Sequence, residues 1–523
     1  MTITRLFKSH KSNPFYLLII IMLIGFFLRI YNLGKFGLWL DEVYSLIIAK
    51  NLWWAIPRFF LMHTGFLYPA LLRFWIFLGE GEFILRFLSA IFGLFSIIGV
   101  YYLGKVLFGQ KIGLYSSFLL SISPFHIYYS QELRSYSLFT FLTIASVYFL
   151  IRALREDKFK LWIYFIISTI LCLYSYQVSP LLIIAENIFF ISVYNRYRNL
   201  VRKWVITQLI ILLLFLPILL SFFNLLNSII IGKIFFWVPK MTGTIIFQTF
   251  NVFNLGYTAN KSLYNLAFYI FIFLFIFGLW SIRQKKEELR LLVICFLSPF
   301  LLYALASLLI TPIYVYRTCI FLNPFYLIAI ACGLFYIKKY ILRTIFLISI
   351  VILSFFSLKN YYQNIYPCPV VPYRIGVPVK KEYQRAVEYI KRGYQSGDGI
   401  GHTCVSSFLP FFYYHNPKIK IGMGKGINKF KEHFLTLTPE DIPGDLKIMS
   451  KVNPKDHPLI PLLIEEFLKD IKRAWLVFSS WEYPYYSDPR AQKIKDWFDT
   501  RYPIIGHKDF VGIDIYLYQI SEK

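Results

Sequence analysis

The chain is 523 residues long, 57% hydrophobic and 20% aromatic, and its apolar residues fall in long runs. That pattern excludes an ordinary soluble domain, because each run of roughly 20 residues is long enough to cross a bilayer as a helix. The net charge of +27 does not mark a nucleic-acid binder, because Lys and Arg form short clusters between the apolar runs, as they do in the cytoplasmic loops of polytopic membrane proteins.

A basic start (Arg5, Lys8, Lys11) precedes the first apolar run, Phe15 to about Tyr31. No small-x-small cleavage pattern follows, so the run reads as a retained span with Leu28–Asn32 at its outer end. About eleven spans are expected, near 15–32, 85–104, 112–127, 135–151, 161–177, 181–194, 204–222, 263–281, 291–310, 318–337 and 341–357. Every even-numbered connection is basic: Lys105 and Lys111; Arg152, Arg155, Lys158 and Lys160; Arg196, Arg198, Arg202 and Lys203; Arg283, Lys285, Lys286 and Arg290; Lys338, Lys339 and Arg343. The positive-inside rule makes these cytoplasmic. The odd-numbered connections, and everything after an odd number of spans, then lie outside.

The expected architecture is a polytopic α-helical membrane domain, 1–357, with a long first outer loop at 33–84, followed by an extracytoplasmic α/β domain at 358–523. In the loop, Trp53, Trp54, Phe59, Phe60 and Trp75 alternate with sparse charges, which fits amphipathic helices lying in the interface or a partly buried re-entrant segment. In the C-terminal part, Lys381–Ile390 reads as an amphipathic helix, Gly397–Gly399 as a turn, Gly401–Phe408 and Ala474–Ser479 as strands, and Ile513–Tyr518 as an alternating strand. Cys172, Cys295, Cys319 and Cys332 lie in apolar runs, where thiols behave as small hydrophobes. Cys368 and Cys404 could pair if their part of the chain is outside, and no Cys/His spacing suggests a zinc site.

Asp41 and Glu42 sit just beyond the first span in Leu38-Trp39-Leu40-Asp41-Glu42-Val43-Tyr44-Ser45. Acids at a membrane surface, ringed by aromatics, are costly to keep. Asp41 is placed to take a proton from a hydroxyl; Glu42 assists it, holds a cation or faces solvent. A second constellation runs from Ser123 to Tyr136 and carries Glu132, Arg134 and Tyr136. Arg86 and Arg317 begin the second and tenth spans on the outer side; a guanidinium there either grips phosphate oxygens bidentately or snorkels to headgroups. His63 and Tyr68 share the segment His63–Pro69, and Trp237 offers a stacking platform for a sugar, a lid over a lipid, or an ordinary interfacial anchor. Glu186 lies inside the sixth span with no evident role. There is no phosphate-binding glycine loop and no GxSxG motif, so the energy of any reaction must arrive with the substrate.

The order of these features carries a resemblance. The acidic pair after the first span, the His-and-Tyr segment, Glu82 and Arg86 entering the second span, Tyr101–Lys105 with Phe108-Gly109, and Ser130–Tyr136 together resemble the polyprenyl-phosphate-dependent glycosyltransferases of the protein O-mannosyltransferase and aminoarabinose transferase superfamily, which have the C-type fold (GT-C). The match is best over 15–155 and looser through Trp237, Arg317 and the C-terminal domain. The resemblance implies eleven or more spans and an outer-face active site in an integral, multi-pass protein of a plasma membrane, prokaryotic because no eukaryotic accessory domain is recognisable. It implies a polyprenyl-phosphate sugar as donor, with Asp41 as base in a direct, inverting transfer, Arg and His side chains on the leaving phosphate, and Glu132 shaping the site or holding a divalent cation. The acceptor stays open: a glycan, a lipid or a protein, with membrane lipid and no nucleic acid as partners. The competing readings are a transporter or flippase of lipid-linked sugars, whose charges belong at mid-membrane near broken helices, and a plain anchor for the outer domain.

Overall fold

The structure, a computed structural model, describes residues 14–52, 65–230, 238–396, 398–403, 405–415, 434–436, 468, 471–479 and 489–520. In chain order the helices that matter here are α1 (Pro14–Ile30), α2 (Leu40–Lys50), α3 (Leu67–Trp75), α4 (Glu82–Phe108), α5 (Gln110–Ile122), α6 (Pro124–Ser130), α7 (Tyr136–Glu156), α8 (Phe159–Ser175), α9 (Pro180–Ser192), α10 (Val201–Ile230), α11 (Gly243–Leu255), α12 (Lys261–Ser281), α13 (Lys286–Leu309), α14 (Asn323–Tyr336) and α15 (Tyr340–Tyr362). The chain divides into two compact units: Met1–Leu33 with Leu52–Gly376, and Gly34–Asn51 with Val377–Lys523.

In the first unit each expected span falls on a helix. Among the described residues seven helices are long and apolar enough to cross a membrane; α1, α8 and α9 are apolar but shorter. The third span is broken. Pro124 has no N–H and cannot continue α5, so the chain restarts at Ser123, whose hydroxyl accepts from the His126 backbone N–H and caps α6. The tenth span begins as a 3-10 turn, Tyr316–Leu322, before α14. Helices differ in what they face. The span Tyr316–Tyr336 is 94% buried within the protein, whereas Tyr194–Leu219 is 22% buried and shows Leu209, Leu212, Leu213 and Leu216 to the outside. The former is the centre of the bundle and the latter a lipid-facing wall.

Close packing at that centre depends on glycine. A Cβ on Gly278 of α12 would lie 2.0 Å from the Ala329 carbonyl oxygen, and one on Gly333 of α14 would lie 2.2 Å from the Leu274 carbonyl oxygen. Small residues that let backbones touch are the main route to helix association where lipid is as apolar as leucine.

The basic connections meet on one face. Arg155, after α7, pairs with Glu287 (2.9 Å) and Glu288 (2.6 Å) at the start of α13 and donates to the Val106 carbonyl near the end of α4. Arg196 and the Tyr197 hydroxyl, after α9, reach the same Glu287. Connections two, four, six and eight are therefore on one side, as the charge pattern requires. At the opposite end Gln131 Nε2 donates to the carbonyls of Arg29 and Tyr31, both at 2.9 Å, and the Tyr361 hydroxyl donates to Gln131 Oε1 at 2.7 Å. The ends of spans one, three and eleven are thereby tied together. In the connection between α1 and α4, α3 buries Tyr68 and Leu72 and exposes Phe74, which suits a helix lying at a lipid interface; residues 53–64 lie outside the described residues.

The second unit adds α16 (Tyr383–Gly393), β1 (Asp398–His402), α17 (Val405–His415), β2 (Phe434–Thr436), β3 (Arg473–Phe478), α18 (Pro489–Asp499), β4 (Ile504–Phe510) and β5 (Ile513–Gln519). The sheet order is β2-β1-β3-β5-β4, with β1 parallel to both neighbours and β3, β5 and β4 antiparallel. Side chains alternate across the sheet. Trp475 and Val477 of β3 pack with Val387 and Ile390 of α16, and Ala474 and Leu476 pack with Ile494 and Phe498 of α18. The expected strand 401–408 ends at His402, and α17 follows. A short apolar run is ambiguous between strand and helix; here Thr403 ends the strand, its hydroxyl donating to the Ser479 carbonyl at 2.7 Å. The turn expected at 397–399 gives way at Asp398, which opens β1. Segment 34–51 is part of this unit: α2 packs on α17 and the Leu38 N–H donates to the Tyr414 hydroxyl at 2.7 Å.

Candidate active site

Asp41 and Glu42 occupy the first turn of α2, where carboxylates complement the positive end of the helix dipole. Glu42 is 1% exposed and its Oε2 accepts from the Trp39 N–H at 3.2 Å, so it caps the helix. Asp41 is half-buried, and its carbonyl accepts from the Ser45 hydroxyl at 3.0 Å. Of the two, Glu42 has an evident structural task, and Asp41 rides on the helix that Glu42 caps.

In the first unit a set of charged and phenolic groups converges around Tyr257 and Tyr361. The Tyr257 hydroxyl is in charge-interaction range of Arg317, Glu132 and Tyr136, and that of Tyr361 is in range of Glu132 and Arg86. Tyr128 lies between them, near Glu132, Tyr257, Tyr361 and Tyr366. The Tyr129 and Tyr257 hydroxyls are hydrogen-bonded at 2.6 Å, and the Tyr129 ring packs 4.6 Å from that of Tyr136. Glu132 and Arg86 are each 2% exposed. Arg86 Nη1 donates to the Leu33 carbonyl at 3.1 Å, and Arg317 Nη1 to the Gly376 carbonyl at 2.7 Å; each guanidinium is thus aimed by a backbone oxygen. Arg374, fully buried, lies over the Tyr366 ring at 4.9 Å and donates through Nε to the Cys368 carbonyl.

Tyr68 stands one hydrogen bond behind this set. Its hydroxyl is 2.6 Å from Ser89 Oγ, which also donates to the Arg134 carbonyl at 3.1 Å. The Arg134 guanidinium lies over Tyr136 at 5.9 Å. The structure therefore brings Arg86, Glu132, Tyr136 and Arg317 together, with Tyr68 and Arg134 bracing them. His63, Trp237 and Cys404 lie outside the described residues. Sequence reasoning missed Tyr257, Tyr361 and Arg374; Tyr257 is 128 residues from its partner Tyr129, a separation that leaves no local signal.

The buried guanidinium of Arg86 and the half-buried one of Arg317, among phenolic hydroxyls, form a donor-rich surface that suits a phosphate and the charge developing on it as a leaving group. Among the described residues, one group of metal-ligand type is found, in the second unit on the β4–β5 hairpin: His507, Asp509 and Asp514, with ligand atoms within 4.8 Å of one another. Elsewhere in that unit Asp398 accepts from Arg473, Trp475 Nε1 and the Gln395 N–H. Burial pushes this carboxyl up, but those donors outweigh it and hold it below its usual value.

Helix order, spans and site define a class: an integral membrane protein with the fold of the C-type glycosyltransferases, as the resemblance in sequence implies. Residues 63–220 match the family model of the dolichyl-phosphate-mannose-protein mannosyltransferases. Among solved structures the chain is similar to ArnT from Cupriavidus metallidurans, with a TM-score of 0.59 at 10% identity over 96% of this chain and 97% of that one. Its complex with undecaprenyl phosphate gives 0.57 at 11% identity, with the same shares covered, 96% and 97%. The archaeal oligosaccharyltransferase AglB from Archaeoglobus fulgidus, in complex with an inhibitory peptide and a dolichol-phosphate, gives 0.55 at 12% identity over 99% of this chain and 75% of that one. No curated protein matches the chain in sequence.

Proposed function

We propose that the protein is a membrane glycosyltransferase that moves a sugar from a polyprenyl-phosphate carrier to an acceptor hydroxyl on the extracytoplasmic side. The observation that carries this reading is the convergence of Arg86, Arg317, Glu132 and the tyrosines in a protein of this fold. The relatives of that fold include proteins solved with undecaprenyl phosphate and with a dolichol-phosphate, and this chain's donor is proposed to be of the same chemical class.

In the proposed step the Asp41 carboxylate takes the proton of the acceptor hydroxyl. The acceptor oxygen bonds to the anomeric carbon as the bond from that carbon to the phosphate oxygen breaks. The electron pair leaves with polyprenyl phosphate, whose charge Arg86 and Arg317 stabilise, and a single displacement inverts the anomeric carbon. Glu132 shapes the pocket or holds a divalent cation. The acceptor is a hydroxyl on a glycan, a lipid or a protein.

The test uses the full chain in nanodiscs. Asp41→Asn should lower transfer from a polyprenyl-phosphate sugar by about a hundredfold or more while undecaprenyl phosphate still binds. Arg317→Met should weaken that binding by about tenfold or more, the scale of one lost charge-assisted hydrogen bond. Wild-type transfer by Asp41→Asn would overturn the assignment of the base. A flippase of lipid-linked sugars would move the carrier without breaking the anomeric bond, so the same assay would release no free polyprenyl phosphate.

A further inference from the structure

Arg29, near the outer end of α1, is fully buried, and among the described residues no carboxylate lies within ion-pair distance of it. A cation kept in that position needs a compensating partner. Its partners are oxygens and one ring nitrogen. Nη1 donates to the carbonyls of Gly25 (2.9 Å) and Ser121 (3.0 Å), and Nη2 donates to the Leu120 carbonyl (3.1 Å) and lies 2.8 Å from His126 Nδ1.

These partners share a cause. Leu120 and Ser121 form the last turn of α5, where the helix stops before Pro124. The Leu120 carbonyl would ordinarily accept from the N–H four residues on, and that residue is the proline. The carbonyl keeps only a long backbone bond, from the Ser123 N–H at 3.4 Å, and a poorly satisfied carbonyl at membrane depth is costly. Arg29 supplies a second, shorter donor at 3.1 Å, and the C-terminal ends of α1 and α5 together supply the partial negative charge that balances the guanidinium.

A guanidinium only donates. His126 Nδ1 must therefore accept, which places the imidazole proton on Nε2 and leaves the ring neutral. Arg29 holds the far end of α6 as well, because its own carbonyl accepts from Gln131 Nε2 at 2.9 Å. One residue thus grips both ends of α6, the short helix that leads directly into Gln131 and Glu132.

We infer that Arg29 is a positioning residue: by donating to His126 Nδ1 and to the open end of α5 it fixes the break between α5 and α6, and with it the Glu132 segment. The inference rests on the reading of Glu132 and its neighbours as the donor site. His126 is then a locked hydrogen-bond acceptor and takes no part in proton transfer.

The test compares two substitutions in the full chain in nanodiscs. His126→Asn places an acceptor oxygen near the position of Nδ1 and should keep kcat within about threefold of wild type with an unchanged pH profile. His126→Gln places its polar atoms near Nε2 and leaves the guanidinium donor without an acceptor. It should lower kcat by about tenfold or more while the donor KM stays within about threefold. If His126→Gln behaves as wild type, or if His126→Asn loses as much as His126→Gln, the inference fails. Should His126→Gln not fold, nitrogen-15 shifts of His126 in the wild-type protein decide the matter: a bare Nδ1 and protonated Nε2 from about pH 5 to 8 are expected, and a doubly protonated ring or an Nδ1–H tautomer overturns it. A wild-type protein with no transfer activity would sink the proposed function and leave the nitrogen shifts to judge Arg29 separately.

Discussion

Gln131 gives the sharpest test of how the end of the bundle opposite the Glu287 cluster is held. The side chain is 2% exposed and is engaged at both ends: Nε2 donates to the carbonyls of Arg29 and Tyr31, and Oε1 accepts from Tyr361, itself 4% exposed. Gln131→Met keeps the volume and removes every polar contact. On the scale for soluble proteins, three lost bonds at about 1 kcal/mol each, plus a buried hydroxyl left without a partner, amount to about 4–5 kcal/mol. In a bilayer the unfolded helices find other partners, and measured values average about 0.6 kcal/mol per bond. The membrane scale should govern the bonds and the soluble scale the stranded hydroxyl, so about 3–4 kcal/mol is expected. Tyr361→Phe alone should cost about 1 kcal/mol, and the double substitution should show a coupling of about 1 kcal/mol. Unfolding of the purified protein in detergent, followed for all four members of the cycle, measures this. A Gln131→Met protein within about 0.5 kcal/mol of wild type, or a coupling of zero, would show that water or lipid already satisfies these groups and that the triple tie does not exist.

Two further outcomes follow from geometry elsewhere. The Asp398 carboxyl is held below its usual value, so the stability it contributes is present above about pH 4 and is lost as the pH falls through its lower folded-state value; Asp398→Asn should weaken the C-terminal unit at neutral pH and flatten its acid response below about pH 4, as read by tryptophan fluorescence. Gly278→Ala should force α12 and α14 apart, because the new carbon would lie 2.0 Å from the Ala329 carbonyl oxygen and 3.0 Å from the Gly333 nitrogen, both backbone atoms; a loss of about 1–3 kcal/mol is expected in detergent unfolding, with Gly81→Ala, where the added carbon meets nothing within 4 Å, as the control.

What could be read from the sequence was what bilayer thickness and charge dictate. Apolar run length places the spans, and the basic clusters put the connections that bear Arg155 and Arg196 on one side, where the structure joins both residues to Glu287. The break at Ser123–Pro124 was passed over because the apolar run continues through it to Ile127, although proline alone warns of a stop. Arg86, Glu132, Tyr136 and Arg317 stand out in the sequence as unusual charges and phenols at span junctions. Tyr257 and Tyr361 escaped notice because tyrosine is common at both interfaces, and their partners are 128 and 230 residues away. The run after His402 is ambiguous for a different reason: Val405–His415 is short, apolar and aromatic, and such a run takes its form from what it packs against.

The membership of Gly34–Asn51 in the C-terminal unit has a consequence for biogenesis. A ribosome delivers the turn bearing Asp41 early, whereas Tyr414, which receives the Leu38 N–H, emerges only after the last span has been made. Until then α2 lacks the surface it rests on. The seating of the turn that bears Asp41 therefore waits for the synthesis of α17, and a polypeptide stalled just after α15 would hold a finished bundle but an unmoored carboxylate.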